Sequence, residues 1–191
     1  MNHPEAMIRD DDGAIRTDPR FVAFVGHFNV DRDYFECHEL MEELWLENGR
    51  NPVLQGLLQA AVGQYHWRNG NRGGAVKLFA GALRKLQGAP AVRHGVDLAA
   101  LRASVRSALQ ALSPLPAGTF DPDDLWPPDR LDTPPTTNAP FQPFPLVVTD
   151  EALARAVEAW AAQKGADDAR RAEDHGADRD GNGNGGHGQG V

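Results

Sequence analysis

The chain has 191 residues, 41 % of them apolar and 7 % aromatic, and a formal net charge of −8, which suits one domain with a true core plus appendages. No run approaches the roughly 18 apolar residues of a membrane-spanning helix, and the acidic total argues against nucleic acid as the default partner. The only cysteine, Cys37, excludes an intramolecular disulfide and a multi-cysteine zinc site.

The first residues, MNHPEAMIRDDDG, lack the basic start and apolar stretch of a signal peptide. A cytoplasmic location is therefore expected, with residues 1–16 as a flexible lead. Thr17-Asp18-Pro19 reads as a helix start, because a capping side chain precedes proline at the first helical position. That helix runs to about Phe28. Asp31 caps a second helix through Glu47, which ENGRNP breaks. Pro52 opens a third to about Arg68, ended by NGNRGG. A fourth covers roughly 73–87, and Asp97 caps a fifth to Leu112. No segment alternates with a period of two, so strands are not expected.

From 113 to 149 the composition changes, with SPLPAG, WPPD, TPPTT and FQPFP, and so many prolines exclude regular helix or sheet. The interspersed Phe120, Leu125, Trp126, Phe141 and Phe144 suggest a segment lying across the helices. A last helix, about 150–163, buries Leu153, Val157 and Trp160. The Gly-rich remainder, 164–191, is expected to be disordered, and its His175 and His187 are too few for a metal-binding tract. The fold class is all-α: a small helical bundle (17–112) around an antiparallel hairpin of about 31–47 and 52–68.

On the second helix, Glu36, Glu39, Glu43 and Glu47 gather on one solvent face at 100° per residue. His38 and Glu42 fall instead in the apolar arc with Tyr34, Phe35, Cys37, Leu40, Met41, Leu44, Trp45 and Leu46. A carboxylate taken out of water must be paired, protonated or metal-bound, and His38 lies one turn away on the same side. The third helix is apolar nearly all round, with one polar strip of Gln55, Gln59 and His66. Folding about ENGRNP brings Gln55 and Gln59 level with the His38–Glu42 pair. Gly56 and Gly63 admit close approach of another helix.

Two readings of this cluster compete. In one, His38, Glu42, Gln55 and Gln59 form a satisfied network that sets helix register. In the other, His38, Glu42 and His66 hold a single divalent metal with an open position for water, or act as acid–base groups. Spacing does not decide: His38-Glu39-Leu40-Met41-Glu42 departs from the zinc signature H-E-x-x-H at its last position. Cys37 reads as buried packing rather than a nucleophile.

Charge is unevenly spread. Residues 1–47 carry twelve acidic and four basic side chains, whereas 48–96 carry seven basic and no acidic ones. Mutual attraction on folding is the simple reading. A basic face of Arg68, Arg72, Lys77, Arg84 and Lys85 for phosphate or RNA is the sharper one. The apolar circumference of the third helix hints at a homodimer, although the bundle and the Pro-rich arm could cover it equally well.

The string FNVDRDYFECHELMEELW, followed by LQGLLQAAVGQYHWRNGNRGGAVKLFAGALRKL, resembles the bacterial and archaeal domain of unknown function 309. The pattern is Phe28-Asn29, Tyr34-Phe35, His38, Glu39, Glu42, Trp45, Gln55-Gly56, Gln59, His66 and Gly70-Asn71, over about residues 21–86. The resemblance implies an all-α bundle, and the family's occasional label of predicted metal-dependent hydrolase raises the metal reading of His38 and Glu42. It carries no established reaction. Three functions therefore stand open: metal-assisted hydrolysis at His38 and Glu42, a non-catalytic helical module that binds a protein partner, and phosphate or RNA binding on the basic face.

Overall fold

The computed structural model describes residues 12–113 and 136–180, with side chains of the last helix described to Ala172. The expected packing of Phe120, Leu125 and Trp126 and the tail beyond 180 lie outside the described residues. In chain order the elements are α1 (Asp12–Thr17), α2 (Pro19–Gly26), a π turn (His27–Asp31), α3 (Tyr34–Glu47), α4 (Pro52–Arg68), α5 (Arg72–Leu86), β1 (Val92–Arg93), β2 (Val96–Asp97), α6 (Leu98–Leu112) and α7 (Glu151–Asp180). The fold is an all-α helical bundle.

The helix starts follow from local chemistry. Asp18, Asp33, Asn51, Asn71 and Asp97 each accept a hydrogen bond from a backbone N–H of the first turn, as capping residues do. Pro19 and Pro52 occupy the first helical position of α2 and α4. Asp33, rather than Asp31, caps α3, because residues 27–31 form the π turn and Arg32 closes it in the left-handed region (φ 55).

Three expectations need correction. Residues 12–16, within the stretch expected to be flexible, are helical, and α1 contributes Ile15 to the core. Strands do occur: β1 and β2 form a two-residue hairpin, with His94 (φ 51) and Gly95 (φ 77) supplying the two positive φ values that a tight primed turn requires. Finally, α7 runs on to Asp180 instead of ending near Gln163. Ion pairs one turn apart extend it, Lys164–Asp168 at 3.5 Å being one.

α4 lies at the centre, buried by Leu54, Gly56, Leu57, Ala60, Ala61, Gly63, Gln64 and Trp67. α5 approaches it closely at the two glycines. A Cβ at Gly56 would sit 2.6 Å from Leu86 Cγ, and one at Gly63 would sit 2.5 Å from the Phe79 ring. α3 packs on a second side through Tyr34, Cys37, Met41 and Leu44. The Pro-rich arm covers a third, since Phe141 and Phe144 pack against the core. These neighbours cover most of the apolar circumference of α4, while Leu58, Val62 and Tyr65 stay half-buried. The acidic face of α3 meets α2 rather than the basic stretch, with Arg20 2.8 Å from Glu47 and 3.5 Å from Glu43.

Candidate functional site

The buried stripe of α3 consists of residues 34, 37, 41 and 44, which recur at helical spacing on one face. His38 lies at its margin, with 37 % of its side chain exposed, and Glu42 lies beyond it at 48 %. Phe35 (54 %) and Leu46 (49 %) are exposed on the same outward side. The expected core pair is thus a surface pair: the apolar arc of α3 is wider than the face that its neighbours cover. His38 Nε2 is 3.7 Å from Glu42 Oε2, and His38 Nδ1 is 2.8 Å from Glu39 Oε1.

The supporting cluster is not assembled either. Gln59 shares its helix face with Gly56 and Gly63, so it turns toward α5; its Oε1 would lie 2.8 Å from a Cβ on Gly81. That oxygen is buried with no hydrogen-bond partner, as is Trp45 Nε1. Trp45 carries the Arg50 guanidinium 5.6 Å from its ring centroid. Gln55 is half-buried. His66 points along its own helix end, where its Nδ1 meets Asn71 Nδ2 at 2.8 Å. Among the described residues, no group of three or more His, Cys, Asp or Glu side chains could hold a metal ion. His38, Glu42 and His66 are therefore not brought together as a ligand set.

The basic residues also divide. Arg68 is stacked 5.2 Å from the Tyr34 ring centroid and donates to the Arg32 carbonyl at 2.7 Å. Arg72 has its Nε buried. Lys77, Arg84 and Lys85 remain on the outer side of α5, since residues 77, 84 and 85 share one helical face. Cys37 is fully buried, its Sγ 3.6 Å from the Phe24 carbonyl oxygen, and burial pushes its thiol well above the ordinary range.

The polar residues that the fold does bury are others. Gln64 is fully buried. Its Nε2 donates to the Phe144 carbonyl at 3.1 Å, and its Oε1 accepts from the Phe144 N–H at 3.0 Å and from Tyr34 Oη at 3.3 Å. Burial raises the Tyr34 hydroxyl to about 12, which keeps it a donor at neutral pH. Asn29, on the π turn, does the same one step along the arm: Nδ2 donates to the Leu146 carbonyl and Oδ1 accepts from the Leu146 N–H, both at 2.8 Å. Sequence could have flagged Gln64, because it falls three and four residues from Ala60, Ala61 and Trp67 on the apolar side. Nothing in the periodicity marks Asn29.

A second polar feature joins the π turn to α7. His27 Nδ1 and Lys164 Nζ both meet Asp31, at 3.1 and 3.0 Å. Although burial raises the Asp31 carboxyl, Lys164 and His27 outweigh it and the group lies below its ordinary value. The His27 ring stands edge-on to Trp160 at 4.7 Å. Both line an open cleft of about 540 Å³ together with Asp33, Glu36 and Asp167.

Fold and site together define a helical module whose buried polar groups grip its own chain while the His38–Glu42 pair faces outward. Residues 21–78 match the family described as Domain of unknown function (DUF309), so the likeness carried by the His38–Trp45 and Gln55–Asn71 motifs is shown over that segment; it ends short of Leu86. The uncharacterized protein YpuF of Bacillus subtilis (strain 168) is 41 % identical over 70 residues. That alignment covers 35 % of this chain and 40 % of the relative, so the chain spans less than half the length of the curated protein it matches. No solved structure matches the chain. Among the described residues, no helix is long and apolar enough to cross a membrane.

Proposed function

We propose that this chain is a non-catalytic helical module that docks a protein partner on the outer face of α3 and α4. The observation that carries the reading is the stripe Phe35, His38, Glu42 and Leu46, spaced three to four residues apart along α3 and left half-open to solvent. Phe35 contacts Tyr65 of α4 with ring centroids 6.4 Å apart, which joins the stripe to the half-buried Leu58, Val62 and Tyr65. Apolar side chains in a contiguous, polar-rimmed patch favour protein contact. Glu39, Glu42 and Glu43 border it around a depression of about 400 Å³, so the partner is expected to carry a basic rim.

The test is a photo-crosslinking residue placed in cells at Phe35 and, as a control, at Val92 on the β hairpin. A discrete adduct at residue 35, absent at 92 and lost in His38→Ala and Glu42→Ala chains, supports docking there. The same adducts at both positions refute it. Stoichiometric divalent metal in the purified chain, lost in both variants, would overturn the reading in favour of a metal site at His38 and Glu42 and call for a hydrolase screen.

A further inference from the structure

Residues 139–147 cross the bundle with no helix or strand of their own before the antiparallel bridge of Val148 to Val96, and they are held largely through their main chain. Asn29 and Gln64 each present one donor and one acceptor to the N–H and C=O of a single residue, at Leu146 and at Phe144. Alternate residues of an extended peptide are thus gripped by two fixed amides, much as a neighbouring strand would grip them. Trp67 Nε1 adds a fifth main-chain bond, donated to the Ala139 carbonyl at 3.3 Å.

Side chains are read at three positions: Leu146 is buried in the core at 2 % exposure, and two phenylalanines pack beside it. Phe141 enters between Tyr34 and Trp67, with ring centroids 6.3 and 5.6 Å away. Phe144 enters between Phe28 and Phe79, at 6.1 and 5.9 Å. Edge-on and tilted aromatic contacts at these separations are favourable. Gln142 and Pro143, by contrast, are exposed, and beside them a recess of about 310 Å³ lies open against Ser104 and Ser107 of α6. The arm therefore leaves open space on its α6 side.

The location of the parts matters as well. Phe28, Asn29, Tyr34, Gln64 and Trp67 all lie within the matched segment 21–78, and Phe79 follows it directly, whereas the arm lies outside the match. The two side-chain amides that pair with the arm's main chain, and every ring of the two pockets except Phe79, belong to the matched segment; their occupant does not.

We infer that this groove is a receptor for an extended segment of a partner protein bearing two phenylalanines three residues apart, and that residues 139–148 are its tethered competitor. The groove is separate from the outward stripe of α3, so the inference stands apart from the docking reading given there. A tethered occupant acts at an effective concentration on the order of millimolar, so a free ligand is best measured against a weakened arm.

The experiment uses the full chain with Phe141→Ala and Phe144→Ala, titrated with a synthetic peptide of residues 138–147 and with the same peptide carrying alanine at both phenylalanines. The expected result is saturable one-site binding of the phenylalanine peptide, at least about tenfold tighter than the alanine peptide, as loss of two half-buried rings implies. A benzophenone in place of Phe144 in the peptide crosslinks to α4 near Gln64 and Trp67. If circular dichroism shows lost helix in the double variant, Phe144→Leu, which keeps an apolar filler, takes its place. No saturable binding below about 1 mM, equal binding of both peptides, or crosslinks away from α4 would overturn the inference. So would a dimer of the unsubstituted chain that dissociates on Phe141→Ala and Phe144→Ala, which would assign the groove to the arm of a second copy.

Discussion

Replacing Gln64 with leucine tests the account of the buried polar groups directly. Leucine keeps the approximate volume and the apolar contacts of α4, so the main loss is hydrogen bonding. Three groups lose their partner: the Phe144 N–H, the Phe144 carbonyl and the Tyr34 hydroxyl. A stranded buried donor or acceptor costs about 1–3 kcal/mol. Phe144 is half-buried, so its two groups recover part of their hydration. A total of about 2–4 kcal/mol follows from those per-group costs. For a chain of this size that corresponds to a fall in Tm of roughly 5–15 °C. His38→Ala is the control, because a half-exposed pair at 3.7 Å contributes within about 0.5 kcal/mol. Urea denaturation followed by circular dichroism measures both. If Gln64→Leu costs under 1 kcal/mol, or His38→Ala costs more than Gln64→Leu, the three hydrogen bonds of the buried amide do not hold the arm and Tyr34 to α4.

Three further outcomes are expected. Gly63→Ala places a methyl 2.5 Å from the Phe79 ring; overpacking of about 1–3 kcal/mol outweighs a helix-propensity gain of about 1 kcal/mol, and Phe79→Leu in the same chain should relieve part of the net loss in thermal melts. His94 is fully buried and burial holds its imidazole below the usual 6.5, while Asp12 opposes this. The unfolded chain therefore takes up the proton first as pH falls through about 6.5: the stability is present above that pH and is lost on acidification. A Tm series from pH 7.5 to 5.5 should fall less steeply for His94→Asn than for the parent, and equal slopes would refute the assignment. The Cys37 thiol, buried and raised by its surroundings, should react with a thiol reagent at the rate of opening and speed up sharply in denaturant; a fast reaction in native buffer would contradict its burial.

The local signals in the chain were sufficient for the helices. Capping aspartates and asparagines, prolines at helix starts and apolar recurrence placed α2 to α6 to within a few residues, because these depend on neighbours in sequence alone. Gly56 and Gly63 likewise announced a close helix, since a missing Cβ on an apolar face has few other uses. The burial of His38 and Glu42 could not be obtained in that way. An apolar arc specifies which side of α3 can be covered, but the positions of α2 and α4 decide how much of it is, and they stop at Tyr34, Cys37, Met41 and Leu44. Gln59 was placed with the wrong neighbour for the same reason: one helix face of α4 serves α5, and the hairpin loop does not say which. The partnership of Gln64 and Asn29 with Phe144 and Leu146 joins residues 80 and 117 positions apart. Phe141 and Phe144 already suggested that the arm crosses the helices, but only the tertiary fold shows which amides hold it, because a main-chain grip leaves almost no mark on the identity of the residues it holds.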